Sequence, residues 1–371
     1  LPPASYIELD LKLYKFKEFK NFNVVKEENS IKFIKWWNID KNKKDLSNLD
    51  NIEIKNMFHD MLFYSVKSQL ISDVPLGAFL SSGIDSSLIV SMMQEIQSNT
   101  KTFTIGYENK IYDESNQSKK IAEFLETDHS SYIFSNQEII KFIKNSSSVF
   151  SEPFSDSSQL PTLLVSKLAK QKVKVVLTGD GGDELFGGYN RYIYANKYWK
   201  LFKVLRPLIK NQKFLKYLPS NFYKFIGIIL NLNLNKNSIS KINKKLLNIN
   251  SQYTYYNSLI SEWDRSDEIL NFKDENLDDK KIKKIFENNN YLFEEKMMLS
   301  DFKTYLPDDI LCKVDRSTMY NSLESRAPFL NKSLVELAFS LPLNQKINKG
   351  KSKIILKEIL SEYLPVELTN K

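Results

Sequence analysis

Hydrophobic and polar positions follow two different periods along this chain. From Ile54 to Ser72, apolar residues recur every three or four positions, which predicts an amphipathic helix. Beyond it, short apolar runs alternate with helix-length segments, a pattern typical of parallel βαβ units. We therefore predict an α/β fold with a doubly wound parallel sheet. Its predicted segments are strands 74–80, 102–107, 131–135 and 173–178, and helices 87–97, 115–126, 137–144 and 159–170.

The regions on either side of this pattern differ from it. Residues 1–50 begin as an alternating, strand-like stretch and continue as a polar Asn/Lys-rich segment, so we predict a chain end and linker. Residues 190–300 are rich in lysine, asparagine and aromatic residues with helical periodicity. Within them, 223–234 and 288–302 are predicted to be helices that cover the sheet. The C-terminal half is thus expected to be largely helical.

Composition narrows the class of protein. The 371 residues are 42% hydrophobic, enough for a large core, and the single cysteine, Cys312, excludes a disulfide framework and favours a reducing, cytoplasmic location. No apolar run reaches the ~18 residues of a membrane span, so no membrane partner is expected. The net charge of +8 comes mostly from lysines interleaved with Asn, Asp and Glu, which favours a solvated surface over nucleic-acid binding.

The most informative segment is VPLGAFLSSGIDSSLI, residues 74–89. An apolar strand ends there in a turn of small residues, and a helix follows. Backbone N–H groups and the hydroxyls of Ser81, Ser86 and Ser87 at a helix N-terminus favour an anion site, most plausibly for phosphate. N-capping of the helix is the competing explanation for the serines. Because Asp85 would repel a bare phosphate, we expect a divalent cation between the two.

A second loop, within residues 175–192, follows the strand that ends at Thr178. It holds three acids in seven positions, Asp180, Asp183 and Glu184, which repel one another unless a cation or a cationic substrate group lies between them. A solvated acidic turn that caps the next helix is the alternative. Because parallel strands bring their carboxyl ends to one sheet edge, Asp85 and Asp183 are predicted to bind Mg²⁺ together.

Five segments resemble, in order, the synthetase half of glutamine-hydrolysing asparagine synthetases, a branch of the ATP-pyrophosphatase (PP-loop) superfamily. They are SSGIDSS, FTIGYENKIYDESNQSKKIAEFLETDH, SEPFSDSSQLPTLLVSKLAK, LTGDGGDELFGGY and LPDDILCKVDRSTMYNSLESRAPFLNKSLVELAFSLP. The resemblance covers nearly the whole chain and implies an adenine nucleotide alpha hydrolase-like fold. It implies that residues 1–50 end a glutaminase domain and form a linker. Residues 51–371 would be the synthetase domain, truncated at its C-terminus.

This resemblance implies a carbon–nitrogen ligase that uses ATP and Mg²⁺. Aspartate would be adenylated to β-aspartyl-AMP with release of pyrophosphate, and ammonia from an N-terminal glutaminase domain would then give asparagine. Asp180 would face the amino-acid substrate or the attacking amine, as a catalytic residue together with Asp85 and Asp183, the implied metal ligands. The resemblance leaves open whether the protein forms a homodimer. The implied nucleotide-binding residues are Phe79, Leu80, Ser81, Gly83, Asp85, Ser86, Ser87, Ile105, Thr178 and Gly179.

Three positions depart from the family pattern. Ser82 and Asn331 stand where glycine and aspartate are usual, and Asp180 stands where asparagine-forming members usually have Glu. The shorter acid leaves open a related amide ligase that acts on another carboxylate. A PP-loop enzyme acting on RNA and a nucleotide-binding scaffold without turnover are further alternatives. The family's catalytic lysine would lie two residues beyond Lys371. Four charged residues of the last segment form either an ion-pair network or direct contacts with the site: Asp315, Arg316, Glu324 and Arg326.

Overall fold

A five-stranded parallel sheet forms the centre of the structure, a computed structural model that describes residues 3–10, 31–41, 43–46, 48–109, 113–210, 247–261 and 277–369. The strands are β1 Ser5–Leu9, β2 Ile31–Lys35, β3 Leu76–Phe79, β4 Lys101–Tyr107, β5 Asp128–Phe134, β6 Val175–Leu177, β7 Glu324–Arg326, β8 Ile347–Asn348 and β9 Lys351–Ser352. The central sheet has the order β5-β4-β3-β6-β7, and its neighbouring strands are parallel. The other four strands form two antiparallel pairs, β1 with β2 and β8 with β9.

Helices cover both faces of this sheet. Among the described residues, the helices before the π-helical segment are α1 Asn51–Gln69, α2 Ile84–Ile96, α3 Ser115–Phe124, α4 Asn136–Asn145, α5 Gln159–Lys170, α6 Gly182–Phe186, α7 Asn190–Lys210, α8 Gln252–Ile260, α9 Leu277–Glu287 and α10 Phe293–Lys303. Those after it are α11 Cys312–Tyr320, α12 Lys332–Ser340, α13 Leu343–Lys346, α14 Ile354–Leu360 and α15 Val366–Thr369. A π-helical segment, Leu306–Leu311, precedes α11.

Two hydrophobic clusters hold the helices against the sheet. On one face, apolar side chains of α1, α2, α12 and α14 pack with Ala78 and Leu177 of the strands in the main core. On the other face, Val165 of α5 packs with Phe103 and Val176. A helix on each face is what a parallel sheet requires, because both faces would otherwise expose apolar strand residues to water. The predicted doubly wound α/β fold with a largely helical C-terminal half is confirmed for the described residues.

Several boundaries differ from the prediction. Helix α2 begins at Ile84 rather than 87, because Gly83 in extended conformation is its N-cap residue. Asp85, Ser86 and Ser87 therefore lie in the first helical turn and not in the turn before it. The helix predicted at 54–72 is shifted to Asn51–Gln69, since Asp50 caps it through the N–H groups of Ile52 and Glu53. The helix predicted at 223–234 lies outside the described residues.

Two strands also differ. Strand β5 begins at Asp128 and not at 131, since it pairs with β4 from Lys101 onward. Strand β7 was not predicted at all: it has three residues, too few for a periodic signal, and it exists because its backbone pairs with Val175 to Leu177 of β6.

The N-terminal segment is attached to the main body. Trp37 donates its indole N–H to Glu336 of α12 at 2.7 Å, and the backbone N–H of Lys44 donates to Ser340 of the same helix. Ile39 and Leu46 are buried in the main core. Residues 37–46 thus pack against α12. Within the described ranges, no helix is both long and apolar enough to cross a bilayer.

The strand order reverses between β3 and β6. The chain runs from β3 outward to β4 and β5, then returns past β3 to β6 and β7 on the other side. In open parallel sheets this reversal leaves a crevice beyond the carboxyl ends of the two inner strands, where ligands bind. The loops that begin at Leu80 and Thr178 both lie at this crevice, because they follow β3 and β6.

Candidate active site

A cavity of about 610 Å³ opens at this crevice, within the range of small-molecule sites. Its wall includes eleven of the twelve site residues that the sequence predicts: Phe79, Leu80, Ser81, Gly83, Asp85, Ser86, Ile105, Thr178, Gly179, Asp180 and Asp183. Ser87 is not among them. It is buried, and its hydroxyl donates to the carbonyl of Gly83 at 2.8 Å, so it stabilises the helix start. This bond runs from the hydroxyl to a carbonyl and is not an N-cap, so phosphate binding by Ser87 stays a prediction.

The first loop is held by its own serines. Ser86 Oγ lies 2.8 Å from Ser81 Oγ and accepts the backbone N–H of Ser81 at 3.1 Å, while Ser81 Oγ accepts the N–H of Gly83. Gly83 has no side chain with which to cap the first turn of α2. The positive end of the α2 dipole therefore faces the cavity beside two hydroxyls, an arrangement suited to phosphate oxygens.

The second loop approaches the first at van der Waals distance. Gly181 has φ +91°, a conformation that glycine adopts easily, and it turns the chain into α6. At Gly182 a Cβ atom would lie only 2.6 Å from Oδ2 of Asp85. Glycine at this position thus lets the carboxyl of Asp85 come within reach of Asp183 on the second loop.

The cation between the two acids is a lysine ammonium. Lys353 donates from Nζ to Asp85 Oδ2 and to Asp183 Oδ1, both at 2.6 Å. It follows the β8–β9 pair and has φ +53°, a left-handed conformation that costs about 1–2 kcal/mol for a residue with a side chain. Its own N–H donates to the carbonyl of Phe186 at 3.2 Å, which helps to hold it there. Backbone strain of this kind is common at functional sites.

The charges in this site perturb one another strongly. Burial raises the pKa of Asp85 to about 6, even though the ammonium of Lys353 opposes the shift; the charge of Asp183 adds to it. Burial likewise raises the pKa of Asp180, against the hydrogen bond of Thr178 and the charge of Lys313. Burial disfavours the charged form of Lys353, but Asp85 and Asp183 outweigh it and raise its pKa. Groups with such shifts lie in active sites far more often than elsewhere.

The donor set of the two acids suits Mg²⁺, which prefers carboxylate oxygens. Oδ1 of Asp85 is buried and, within the part of the chain that the structure describes, has no hydrogen-bond partner. A buried carboxylate oxygen without a partner is unfavourable, and a bound cation would satisfy it. Asp85 and Asp183 are thus compatible with the predicted metal site.

A second lysine lies on the wall of the cavity. Lys313 of α11 is 6% exposed and donates from Nζ to Asp156 Oδ2 at 2.7 Å and to Ser158 Oγ at 2.6 Å. The π-helical segment places Asp309 beside this pair. Burial, a hydrogen bond with Asp156 and the charge of Asp156 raise the pKa of Asp309. Of this cluster, Lys313 and Ser158 line the cavity together with Asp180, and π-helical turns are frequent at functional sites.

Glu184 does not share the cation of Asp183, contrary to the expectation for three neighbouring acids. It points into the helical layer and is 1% exposed, and the hydroxyl of Tyr189 donates to it at 2.5 Å. Asp301 lies beyond it, paired with Arg191 at 2.9 Å. Burial raises the pKa of Glu184 to about 7, and the nearby charges of Asp183 and Asp301 add to this shift.

Glu184→Gln is expected to flatten the pH dependence of stability. Because the folded pKa of about 7 exceeds the unfolded value of 4.5, the stability that protonated Glu184 contributes is complete below pH 4.5 and is lost as pH rises through 7. Wild-type unfolding free energy should therefore fall by up to about 3 kcal/mol from this group between pH 5 and pH 8. Urea unfolding at pH 5 and at pH 8 measures this fall in unfolding free energy. Exposed Glu287→Gln is the control, and an equal fall in Glu184→Gln would contradict the assignment.

The charged residues of the last sequence segment lie outside the cavity wall. Arg326 donates to the carbonyls of Gln69 and Ile71 and pairs with Glu324 at 2.7 Å, so these two form local structural contacts. Asp315 and Arg316 are exposed on α11. None of these four described residues lines the cavity.

Two departures from the family pattern are accommodated locally. Asn331 accepts the N–H of Ser333 and so caps α12. The backbone of Ser82 does not have a positive φ, so a side chain fits where glycine is usual.

Sequence reasoning missed both lysines of the cavity. Lys353 and Lys313 lie far along the chain from the loops they complete, and they are two among 53 lysines and arginines. The acids of the two loops indicated a nearby cation but not its source. Only the three-dimensional structure shows which lysine supplies it.

The fold and the site define an α/β protein with a parallel sheet and a small-molecule cavity where its strand order reverses. The family model described as asparagine synthase matches residues 57–371, most of the chain. The chain is 31% identical over 317 residues to asparagine synthetase [glutamine-hydrolyzing] 1 of Bacillus subtilis, which covers 84% of this chain and 48% of that protein. Asparagine synthetase [glutamine-hydrolyzing] 3 of the same organism is 24% identical over 373 residues, 94% of this chain and 53% of that protein.

The chain therefore belongs to the asparagine synthase family. It spans about half the length of the curated relatives it matches. Among solved structures, the chain is similar to NMN synthetase from Francisella tularensis, with 12% identity and a TM-score of 0.29. The match covers 74% of this chain and 94% of that one. This likeness is too distant to support an argument.

Proposed function

We propose that this chain adenylates the side-chain carboxylate of aspartate with ATP and then forms asparagine from the aspartyl-AMP and ammonia. The observation that carries the proposal is the convergence of the two loops at the sheet crevice. It places a helix N-terminus, two carboxylates and a lysine ammonium around one point. A further lysine on the cavity wall, Lys313, offers an ammonium to the acid substrate.

ATP would lie across the crevice. Phe79, Leu80 and Ile105 provide the apolar wall for adenosine, and Thr178 and Gly179 approach it from the second loop. The β- and γ-phosphates would lie against Ser81, Ser86 and the first turn of α2. The reaction then depends mainly on positioning and on charge stabilisation, which together supply much of an enzymatic rate enhancement.

Asp85 and Asp183 would hold Mg²⁺, which neutralises charge on the departing pyrophosphate when it is bound. In its absence the ammonium of Lys353 balances the two acids. With phosphate present, the same ammonium is available as a donor to phosphate oxygens, because lysine binds them as a point charge. The site thus keeps its acids compensated both with and without nucleotide.

The substrate carboxylate attacks the α-phosphorus, a new P–O bond forms, and the bond to the β-phosphate breaks as pyrophosphate leaves. Ammonia then attacks the acyl carbon, AMP leaves, and one proton is lost from the nitrogen. Asp180 lies on the wall between the two loops and Lys313, and burial raises its pKa, so it is the candidate to accept that proton. Residues 51–371 would form this synthetase domain, and residues 1–50 would connect it to a glutaminase domain that supplies ammonia.

The second candidate is an amide ligase that acts on another carboxylate. The shorter side chain of Asp180 favours it, because a wall set back by one methylene accepts a larger acid than a Glu wall does. Aspartate and this alternative differ in what Lys313 must bind: the second carboxylate of aspartate matches the ammonium of Lys313, which lines the cavity.

Lys313→Met is expected to raise the KM for aspartate at least tenfold and to leave the KM for ATP within about twofold, because a charge-assisted contact to the acid is lost. Amide formation from ammonia, followed by chromatography of asparagine and AMP, measures both constants. Lys303→Met is the control, since Lys303 forms an exposed ion pair with Asp40. Equal effects on both substrates would contradict this assignment, and faster turnover with a larger acid would favour the second candidate.

A further inference from the structure

The residue that departs from the family's pyrophosphate loop, Ser82, has a specific partner. Its hydroxyl donates to Oε2 of Glu114 at 2.8 Å, and Ser82 is 5% exposed. Hydrogen bonds to a carboxylate are about twice as strong as neutral ones, and shielding from water preserves that strength. A glycine at position 82 could not form this bond.

Glu114 is a fixed anchor. It is the N-cap residue of α3, and its carbonyl accepts both the backbone N–H and the hydroxyl of Ser118 at 3.1 Å. The start of α3 is pressed against strand β4: a Cβ atom on Gly106 would lie 2.6 Å from Asp113 Oδ1 and 2.8 Å from Ser115 Oγ. The bond from Ser82 therefore joins the first loop to a rigid junction of β4 and α3.

The other serine bonds of this loop act over a shorter range. Ser81 and Ser86 bond to each other and to Gly83, so they shape the loop from within. Ser82 instead bonds outside the loop, to Glu114, and both Ser81 and Glu114 line the cavity. The Ser82–Glu114 bond joins residues 32 positions apart in the sequence. It therefore holds the first loop at one position relative to the apolar wall proposed for adenosine.

We propose that Ser82 is a positioning residue that holds the pyrophosphate loop in its binding conformation through Glu114. The inference rests on the proposed nucleotide function of the cavity. A loop held in advance loses less conformational entropy when the ligand binds, so the bond contributes to affinity without touching the ligand. Loss of this bond should therefore lower the affinity for the phosphates and leave the rate of the chemical step unchanged.

Ser82→Ala is expected to weaken binding of Mg–ATP and of pyrophosphate about fivefold in calorimetry, with kcat nearly unchanged, because only preorganisation is lost. Ser82→Gly should weaken it further, since glycine adds backbone freedom. Glu114→Ala should match Ser82→Ala, and the double variant should be no weaker than either single one. Glu114→Gln keeps an acceptor oxygen and should retain most of the affinity. Ser91→Ala, which removes another buried hydroxyl of α2, is the control.

The outcomes separate this inference from the function on which it rests. If wild type binds Mg–ATP and Ser82→Ala binds it within twofold, the inference is wrong and the proposed function stands. It is also wrong if Glu114→Ala binds Mg–ATP as tightly as wild type, because Ser82 would then not act through Glu114. If wild type binds neither ATP nor pyrophosphate, both proposals fall. A lower melting temperature with unchanged affinity would mean a structural role only, which also overturns the inference.

Discussion

Replacing Lys353 with methionine is expected to abolish measurable nucleotide binding and to lower the free energy of unfolding by about 2–4 kcal/mol at pH 8. The ammonium lies 2.6 Å from both Asp85 and Asp183, and without it two carboxylates remain side by side. We expect a value in the lower half of this range, because the side chain of Asp183 is 38% exposed and water screens its charge.

The loss of stability in Lys353→Met should depend on pH. Burial already holds the pKa of Asp85 near 6, above its unfolded value of 3.8. A carboxyl of this kind contributes stability that is complete below its unfolded pKa and is lost as pH rises through its folded pKa. The variant should therefore be destabilised less at pH 5 than at pH 8. Urea unfolding at the two pH values, with calorimetry for ATP, measures both effects.

Two further variants make this prediction specific. Lys351→Met removes an exposed lysine from the same β8–β9 pair and should behave as wild type. Asp85→Asn combined with Lys353→Met removes the repulsion and should recover most of the stability without recovering nucleotide binding. Wild-type affinity for ATP in Lys353→Met, or equal destabilisation at both pH values, would contradict the role assigned to this lysine.

Asp183→Asn is expected to lower pyrophosphate exchange at least a thousandfold while leaving stability nearly unchanged. The substitution removes one of two carboxylates proposed to hold Mg²⁺, and stabilisation of the leaving pyrophosphate is lost with it. Lys353 still pairs with Asp85 in this variant, so no buried charge is left without a partner. Loss of activity without loss of stability distinguishes a functional acid from a structural one.

The rate of exchange at saturating Mg²⁺, with urea unfolding in parallel, measures this prediction. Asp315→Asn is the matched control, since Asp315 is exposed on α11 and lies outside the cavity wall. An exchange rate within tenfold of wild type would mean that Asp183 does not hold the metal. The Mg²⁺ site would then have to be built on other oxygens.

The fold was predictable because its signals are local. A change in hydrophobic period near residue 74 marks the first buried strand, and the repeated strand–helix spacing predicts parallel pairing. The two loops were found for the same reason, as small-residue turns at strand ends. Strand β7 was missed because its three residues form a strand only through pairing with β6.

The site was predictable only in part. The acids of the two loops stand out in the sequence, but the cation between Asp85 and Asp183 comes from Lys353, 170 residues beyond the second acid in numbering. Glu184 has the same local sequence signal as Asp183 and yet points to Tyr189, since a helix sends neighbouring side chains in different directions. Which acid faces the cavity depends on the geometry of α6 and not on composition.

Exchange of labelled pyrophosphate into ATP is the sharpest test of the proposed adenylation. With Mg²⁺ the protein should catalyse this exchange only when aspartate is present, and glutamate and simple carboxylic acids should not replace aspartate. Exchange requires adenylation to be reversible at this site, so it reports the proposed first step without the need for ammonia. Exchange that is independent of any acid, or that occurs only with a different carboxylate, would contradict the account.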